Sequence, residues 1–259
     1  MKIGIIGVGF VGTAVKLAYE AADIDTVCID EHKGYYATYD DVMDCEAIFV
    51  CVPSPVAEDG SCDTSYLLDV MNKLKDYSGI IISKVTAPPT VYTELSKTYC
   101  NLVHAPEFLT AANANEDYRT GQFAIIGGYD PCTQDAARII RMGQPRIHAI
   151  QYVSIGEASL AKYAINTYLA TKVIFNNELH NLAKSIGLSY TAVRHAIALD
   201  TRIGLSHLDV PGPDGQYGFG GACFPKDTSA LLHFAEQNGV ELSVLKSAVL
   251  TNKTYRSDV

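Results

Sequence analysis

Apolar and polar residues alternate along the first half of the chain with two different periods. Short β-branched runs are followed by longer stretches with helical spacing, which is typical of βαβ units and of a parallel sheet covered on both faces. The elements predicted in this half lie at residues 2–6, 10–21, 26–30, 47–52, 64–75, 80–83, 123–127 and 146–149.

The pattern changes at Ser154, because no turn residue interrupts the chain until Gly187. This segment is too long for a strand and is predicted to be one long helix, apolar around much of its circumference and therefore buried. A shorter helix at residues 189–199, a stretch rich in glycine and proline, and two closing helices follow. We predict an α/β fold with a Rossmann-type, doubly wound parallel sheet at residues 1–150 and a central helical domain at residues 151–259.

Composition and charge exclude several classes of protein. The chain of 259 residues is 48% hydrophobic but has no run near the roughly 18 to 20 apolar residues of a membrane helix. A net charge of −9 without clustered Lys and Arg argues against a nucleic-acid partner. The first residues resemble a strand more than a signal peptide, and the seven cysteines lack metal or disulfide spacing. We expect a cytoplasmic protein without a bound metal.

A glycine-rich turn directly follows the first predicted strand and opens a helix. Residues 7–12, Gly-Val-Gly-Phe-Val-Gly, permit a tight turn, a close approach to a pyrophosphate and close packing of helix on strand. Asp30 ends the second strand, where a carboxylate bonds ribose hydroxyls and repels a 2′-phosphate. This predicts NAD rather than NADP, with Lys33 as the charge that would soften the preference and a simple tight turn as the alternative. The predicted cofactor-binding residues are Gly7, Gly9, Phe10, Val11, Gly12 and Asp30.

A second glycine-rich segment places one cysteine just before a predicted helix. Within residues 218–227, GFGGACFPKD, Cys223 has a helix start and Lys226 beside it, and both favour the nucleophilic thiolate. Lys162 and Asn166 share one face of the long helix, where a lysine among apolar side chains is costly unless paired or used. An ordinary loop cysteine, and a lysine that extends to the surface, are the alternatives these segments leave open by themselves.

The sequence resembles the UDP-glucose/GDP-mannose dehydrogenase family over nearly the whole chain. Five motifs match in the same order: the glycine turn, residues 84–88 (KVTAP), residues 105–109 (APEFL), residues 162–166, and GFGGACFPKD. The resemblance implies a two-step, four-electron oxidation of a sugar primary alcohol to a carboxylate, with two NAD used in succession. UDP-glucose to UDP-glucuronate is the family's commonest case, and the setting it implies is polysaccharide biosynthesis.

The same resemblance implies a role for each matched side chain. Lys162 and Asn166 assist removal of the hydroxyl proton and later stabilise an oxyanion, while Cys223 forms a thiohemiacetal and then a thioester. The residues implied to hold and activate the hydrolytic water are Thr86, Glu107 and Asp227. Lys226 is implied to bind the cofactor. The residues implied to bind the substrate are Phe108, Leu109, Arg202, Phe219 and Gly220.

Arg202 matches an arginine that reaches the substrate of a neighbouring subunit. The resemblance therefore implies a homodimer built on the long helix, and a solvated loop charge is the alternative. Longer family members continue into a third α/β domain, whereas this sequence ends at Val259. We expect either a fragment or a naturally short form.

Three other functions stay open at this point. A GDP-mannose or UDP-N-acetylhexosamine dehydrogenase would differ only in its substrate. A two-electron β-hydroxyacid dehydrogenase also joins a Rossmann domain to helices that bear lysine and asparagine, but it leaves Cys223 without a role. A non-catalytic NAD-binding module is supported by the missing third domain alone.

Overall fold

The computed structural model describes residues 1–258, apart from the side chain of Ala111, and Val259 lies outside the described residues. The chain forms two units. Unit 1 holds Met1–Ala57 and Cys62–Lys162, and unit 2 holds Glu58–Ser61 and the residues from Tyr163 onward. The domain boundary predicted between residues 150 and 151 stays a prediction.

Unit 1 is built on one sheet of eight strands: β1 Lys2–Ile6, β2 Asp25–Asp30, β3 Tyr35–Tyr36, β4 Ala47–Val50, β5 Ile80–Ser83, β6 Leu102–His104, β7 Phe123–Gly127 and β8 Ala149–Val153. Their order is β3-β2-β1-β4-β5-β6-β7-β8. The predicted α/β class and the Rossmann-type sheet are confirmed. The sheet is only mostly parallel, because β3 pairs antiparallel with β2 and β7 with β6. The connection from β2 to β3 is too short for the crossover that a parallel pair needs.

Both faces of this sheet are covered, so its central strands are fully buried. Successive residues alternate between the faces: Ile5 and Phe49 pack into one apolar cluster, and Ile6 and Ile48 into the other. The first cluster includes residues of α1 Phe10–Glu20, α5 Ala114–Thr120 and α6 Cys132–Gly143, and the second includes residues of α2 Tyr39–Met43, α3 Ser65–Lys73 and α4 Pro89–Thr98.

The helical part follows the predicted order. α7 Ile155–Ser185 is a helix of 31 residues, and Gly187 follows it with a φ of +72°, the left-handed conformation that commonly ends helices. Ser189 caps the next helix by accepting a hydrogen bond from the backbone N–H of Ala192. The helices that follow are α8 Tyr190–Ile197, α9 Phe224–Gln237 and α10 Ser243–Tyr255.

The strand expected at residues 146–149 is wrong in position. β8 begins at Ala149, the last residue of that range. This strand pairs with β7 alone and therefore lies at the sheet edge, where Gln151 and Tyr152 are exposed. Because an edge strand need not be apolar on both faces, no apolar run marks its true position.

The expectation that α7 is buried around its whole circumference is also wrong for a single chain. Ala170 and Ile174 pack with Phe219 in an apolar cluster of unit 2. Tyr168 and Phe175 are 67% and 58% exposed. Neighbouring helices therefore cover one side of α7, and an apolar face is left uncovered.

We expect Tyr92→Phe to lower the free energy of unfolding by about 1–3 kcal/mol, because it removes a buried hydroxyl that two groups depend on. That hydroxyl accepts a hydrogen bond from Ser83 Oγ and donates one to the Val85 carbonyl oxygen, each at 2.6 Å. Urea denaturation followed by circular dichroism measures the change. Tyr36→Phe, at a tyrosine that is 77% exposed, is the matched control. Equal stabilities of the two variants would contradict the expectation.

Candidate active site

The glycine turn joins β1 to α1, and one of its three glycines, Gly9, has free space beside its Cα atom. Gly7 has a φ of +88°, and a Cβ added there would lie 2.8 Å from the backbone oxygen of Cys51. A Cβ on Gly12 would lie 1.9 Å from the Gly7 carbonyl oxygen, so α1 packs on the turn without room for a methyl group. A Cβ on Gly9 would meet no described atom within 4 Å. Gly9 therefore leaves space for an anion beside the free N–H groups of the helix start.

Asp30 ends β2 beside this turn. Its Oδ2 accepts a hydrogen bond from the backbone N–H of Val8 at 2.7 Å, which holds the carboxylate against the turn. Phe10 and Val11 form the first turn of α1, and Phe10 lines a cleft together with residues 112–116. The open position, the helix start and the carboxylate fit a dinucleotide such as NAD. The preference for NAD over NADP stays a prediction.

Three donors converge on Glu107, which follows β6. Lys84 Nζ lies 3.2 Å from Oε2, and the two side chains are only 3% and 10% exposed. The backbone N–H of Phe108 donates to Oε1 at 3.0 Å. Lys162 of α7, itself buried, donates to the main-chain carbonyl oxygen of Glu107. Unit 1 therefore places Lys162, which is expected to assist proton transfer, next to Glu107, which is expected to activate water.

The segment that carries Thr86 is held by hydrogen bonds to its backbone. Thr86 is half-buried, and its carbonyl oxygen lies 3.4 Å from Cys62 Sγ, which donates to it. Ser159 of α7 donates to the carbonyl oxygen of Ala87 at 2.5 Å. These contacts fix the main chain at Thr86 and at the residue that follows it.

His104 is fully buried behind the same segment. Its Nδ1 lies 3.1 Å from the Ser83 carbonyl oxygen, and its ring is stacked on Tyr92 with 4.0 Å between the ring centroids. Burial lowers the pKa of His104 to about 3, and the charges of Lys84 and Lys162 act in the same direction. The imidazole is therefore neutral near neutral pH.

The two apolar residues expected at the substrate have different surroundings. The Phe108 ring has two close partners, with its centroid 5.1 Å from Lys162 Nζ and 5.1 Å from the centroid of Phe123. Leu109 packs against the apolar core of unit 1. A role of Leu109 at the substrate would therefore involve its backbone, as the family resemblance implies.

In unit 2, Cys223 occupies the N-cap of α9 and is half-buried. The backbone N–H of Asp227 donates to its carbonyl oxygen at 2.9 Å, as in a regular first turn. The Asp227 carboxylate is 1% exposed, accepts a hydrogen bond from Asn166 Nδ2 at 2.5 Å and pairs with Lys226 Nζ at 2.5 Å. Three of the predicted site residues thus form one cluster at the helix that begins with Cys223.

The glycine loop before Cys223 is anchored by two asparagines. The Asn252 amide of α10 accepts from the N–H of Phe219 at 2.8 Å and donates to its carbonyl oxygen at 2.9 Å. Asn177 of α7 accepts from the N–H of Gly218 at 3.0 Å. A Cβ on Gly220 would lie 2.4 Å from the guanidinium carbon of Arg256, so a side chain there would have to displace that arginine. The backbone of the loop is therefore fixed from outside the motif.

Arg202 lies in the loop after α8 and points to solvent. Its guanidinium pairs with Asp200 at 2.6 Å, and its side chain is 88% exposed. Lys172 of α7 donates to the carbonyl oxygens of Ile203 at 2.8 Å and Ser206 at 2.6 Å, which holds this loop. In the single chain Arg202 contacts no other predicted site residue among those described.

Sequence reasoning missed two residues that the structure ties to these clusters. Lys84 belongs to the KVTAP motif but has no role in the sequence-based prediction, although a lysine directly after a buried apolar strand is an available signal. Asn252 has no comparable signal, because an asparagine inside a helix is ordinary. The predicted residues that the structure brings together are Gly7, Gly9, Gly12 and Asp30 at the turn, Glu107, Phe108 and Lys162 in unit 1, and Asn166, Lys226, Asp227 and Cys223 in unit 2.

Metal sites and membrane spans are also absent from residues 1–258. In that range, no three His, Cys, Asp or Glu side chains are grouped so that they could hold a metal ion. No helix of the described chain has both the length and the apolar character needed to cross a bilayer. The seven cysteines are all free thiols.

We expect Gly9→Ala to impair mainly NAD binding and Gly12→Ala to impair mainly folding stability. Gly9→Ala should weaken NAD binding by at least about tenfold, with stability within about 0.5 kcal/mol of wild type, because its methyl group enters the space expected for pyrophosphate. Gly12→Ala should destabilise by about 1–3 kcal/mol, because it forces α1 off the turn. Calorimetric NAD titration and urea denaturation measure the two effects. Equal losses of stability in both variants would contradict this assignment.

Two sequence profiles match the chain in succession. The one described as the UDP-glucose/GDP-mannose dehydrogenase family, NAD binding domain, matches residues 32–142. The one described as the same family's central domain matches residues 156–254. Together they cover most of the chain.

Curated relatives agree with these matches. The chain is 27% identical over 306 residues to the UDP-glucose 6-dehydrogenase AglM of Haloferax volcanii, covering 97% of this chain and 69% of that protein. It is 32% identical over 224 residues to the UDP-glucose 6-dehydrogenase of Rickettsia bellii, covering 83% of this chain and 50% of that protein. The chain thus spans between half and about two thirds of the length of these relatives.

Solved structures show the same likeness. A UDP-glucose dehydrogenase from Pyrobaculum islandicum superposes with a TM-score of 0.79 at 26% identity, over 98% of this chain and 68% of that one. A GDP-mannose dehydrogenase from Pseudomonas aeruginosa gives 0.66 at 25% identity, over 98% and 69%. A 3-hydroxyisobutyrate dehydrogenase from Mycobacterium tuberculosis gives 0.76 at 18% identity, over 99% and 94%, which shows a shared fold alone. The chain belongs to the UDP-glucose/GDP-mannose dehydrogenase family and carries its NAD-binding and central domains.

Proposed function

We propose that this chain acts as an NAD-dependent nucleotide-sugar 6-dehydrogenase, which oxidises a sugar primary alcohol to a carboxylate in two steps. The observation that carries the proposal is the start of α9, where Cys223 occupies the N-cap and a buried Asp227 follows one turn later, bonded to Asn166. This arrangement suits a nucleophilic thiol with an acid and an amide donor nearby. The proposal includes a cytoplasmic setting and a role in polysaccharide biosynthesis.

UDP-glucose, oxidised to UDP-glucuronate, is the substrate that we propose first. Relatives named UDP-glucose 6-dehydrogenase support this choice. The likeness to a GDP-mannose dehydrogenase makes GDP-mannose the second candidate, followed by a UDP-N-acetylhexosamine. The residues proposed to contact the sugar nucleotide are Phe108, Leu109, Phe219, Gly220 and, from a neighbouring subunit, Arg202.

In the first oxidation, the substrate hydroxyl loses a proton, and the carbon that bears the hydroxyl loses a hydride, that is, a hydrogen together with its bonding electron pair. Lys162, with Asn166 as a second hydrogen-bond donor, assists removal of the proton by a water or a carboxylate. NAD, when bound at the glycine turn, would accept the hydride released in each of the two steps, with one NAD used for each step. The burial of Lys162 beside Glu107 supports this use, because a lysine that merely extended to the surface would be solvated.

In the second oxidation, Cys223 Sγ bonds to the aldehyde carbon and forms a thiohemiacetal. The thiohemiacetal carbon then loses a hydride and its hydroxyl loses a proton, which gives a thioester, with Lys162 and Asn166 stabilising negative charge on its oxygen. Water then adds to the thioester carbon, the C–S bond breaks, and Cys223 leaves as the thiol. The residues proposed to hold and activate that water are Thr86, Glu107 and Asp227.

A homodimer built on α7 is part of the proposal. Tyr168, Phe175 and Leu182 are spaced seven residues apart and are 67%, 58% and 56% exposed. Residues at this spacing share one face of a helix, so the three form an apolar stripe. Large apolar side chains exposed along one helix face are typical of a protein interface. A second copy of α7 would cover the stripe and bring Arg202 within reach of the neighbouring subunit's substrate.

We expect Cys223→Ser to bind nucleotide sugar and NAD normally but to stop before the carboxylate. A serine hydroxyl is a far weaker nucleophile near neutral pH, so aldehyde or a slowly hydrolysed acyl-enzyme should accumulate. Mass spectrometry of protein and product, with a count of NADH formed per sugar consumed, measures this outcome. Wild type should form two NADH per sugar.

Cys100→Ser, at an exposed cysteine of unit 1, is the matched control and should keep full turnover. Carboxylate production that survives in Cys223→Ser would show that this thiol is structural. One NADH per sugar or per hydroxyacid in wild type would favour the two-electron β-hydroxyacid reaction. No NADH with any substrate would favour the binding module.

We expect Phe175→Glu to weaken self-association by at least about tenfold, or ~1.4 kcal/mol, because it places a charge within the apolar stripe. Sedimentation velocity across a dilution series measures the dimer fraction. Val244→Glu, at a residue of α10 that is 73% exposed, is the matched control away from the stripe. A stable and active wild-type monomer at micromolar concentration would overturn both the dimer and the shared role of Arg202.

A further inference from the structure

Lys84 is a buried cation that the reaction proposed above does not use. It directly follows β5, and its side chain is 3% exposed. Lysine is almost never buried this fully unless a partner compensates its charge. Its Nζ lies 3.2 Å from Glu107 Oε2 and 5.5 Å from the ring centroid of Tyr118.

Three further titratable groups face Glu107, namely Cys51, Tyr118 and Lys162, and His104 lies near the charges of Lys84 and Lys162. Burial raises the pKa of the Cys51 thiol to about 12 and raises the pKa of Tyr118 well above its usual range, so both are neutral. His104 is neutral as well, because burial lowers its pKa to about 3. The amine of Lys162 contacts the main-chain oxygen of Glu107.

We propose that Lys84 is the positioning residue that keeps the Glu107 carboxylate ionised and oriented for the hydrolytic step. This inference rests on the proposed function, which assigns Glu107 to water activation. A carboxylate withdrawn from water takes up a proton unless a cation or hydrogen-bond donors stabilise its charged form. A protonated Glu107 accepts no proton from water, so the cation beside it decides whether this residue is a base.

The contacts of Glu107 also fix its orientation. The N–H of Phe108 donates to Oε1, and Lys84 donates to Oε2. A carboxylate oxygen carries two lone pairs, so each oxygen keeps one for a further donor. Glu107 is thus held in one orientation and still has acceptor capacity for a water molecule.

The proposed step balances without a change at Lys84. A proton moves from water to Glu107, the water oxygen bonds to the thioester carbon, and the C–S bond to Cys223 breaks as the thiolate leaves. The proton then passes from Glu107 to the thiolate or to solvent. Lys84 remains protonated throughout and touches neither substrate nor cofactor in this step.

The test compares wild type with Lys84→Met, Lys84→Arg and, as the matched control, Lys97→Met, whose lysine forms an exposed pair with Glu94. Carbon-13 spectra of protein labelled at the glutamate carboxyl, assigned with Glu107→Gln, report the pKa of Glu107 without requiring turnover. The second readout is the acidic limb of the pH–rate profile for carboxylate formation.

Lys84→Met should raise the pKa of Glu107 and move the acidic limb upward by at least about one pH unit, which is about a tenfold loss of rate on the acidic side. The direction follows because the ionised form, which is active, loses its cation. Lys84→Arg should restore most of the wild-type behaviour, since it keeps the charge. Lys97→Met should leave both readouts unchanged.

An unchanged pKa of Glu107 in folded Lys84→Met would overturn the inference. If Lys84→Met fails to fold, the double variant Lys84→Met/Glu107→Gln is the test. Normal folding of the double variant supports the pairing, because the defect of Lys84→Met is then the unpaired buried charge of Glu107. If the double variant also fails to fold, the inference is overturned. A raised pKa in Lys84→Met together with full activity of Glu107→Gln supports the role of Lys84 in ionising Glu107. That combination would overturn the assignment of Glu107 in the proposed function instead.

Discussion

Complete burial of the central strands is the constraint on which the arrangement of unit 1 depends. β4 and β5 are covered on both faces, so polar groups are accommodated where strands end rather than within them. β1, β2, β4, β5 and β6 run in one direction, so their carboxyl ends share one edge of the sheet. Gly7, Asp30, Lys84 and Glu107 each end or follow one of these strands. The nucleotide turn and the acid cluster therefore share an edge for a single topological reason.

Some of the polar groups buried in unit 1 have a hydrogen-bond or ion-pair partner, and others do not. Lys84 and Glu107 compensate each other, whereas His104 Nε2 and the Tyr118 hydroxyl are buried without a hydrogen-bond partner among the described residues. A buried polar atom without a partner costs about 1–3 kcal/mol. Both atoms belong to rings that feel the charges of this cluster. These two unpaired atoms lower the stability of the fold near Glu107, as is common where side chains are arranged for a reaction.

Periodicity and turn chemistry were enough to predict most of the fold. The glycine turn, the long helix α7 with Gly187 behind it, and the helix after Cys223 all depend on local signals, and each lies where those signals put it. β8 and the antiparallel pairs depend on which strand becomes a neighbour, which no local pattern encodes.

The candidate site divides in the same way. Asp227 and Asn166 lie in motifs, and the structure joins them by a hydrogen bond. Of the two partner residues that sequence reasoning missed, Asn252 is an ordinary helix residue in the sequence, and Lys84 stands in a matched motif that gives it no role. They acquire meaning only when the chain brings them to Glu107 and Phe219. Both contacts join residues far apart in the sequence, so the spacing of residues along the chain cannot predict them.

The anchoring of the glycine loop has a consequence for the order of events during synthesis. The Asn252 amide that pairs with both backbone groups of Phe219 lies 33 residues further along the chain. On a ribosome the loop therefore emerges well before α10, so Phe219 gains its Asn252 partner only after both α9 and α10 have been synthesised. Until then, of the two asparagines only Asn177, which lies upstream in α7, bonds the loop, so the full set of hydrogen bonds around the segment before Cys223 forms only after α10 has emerged.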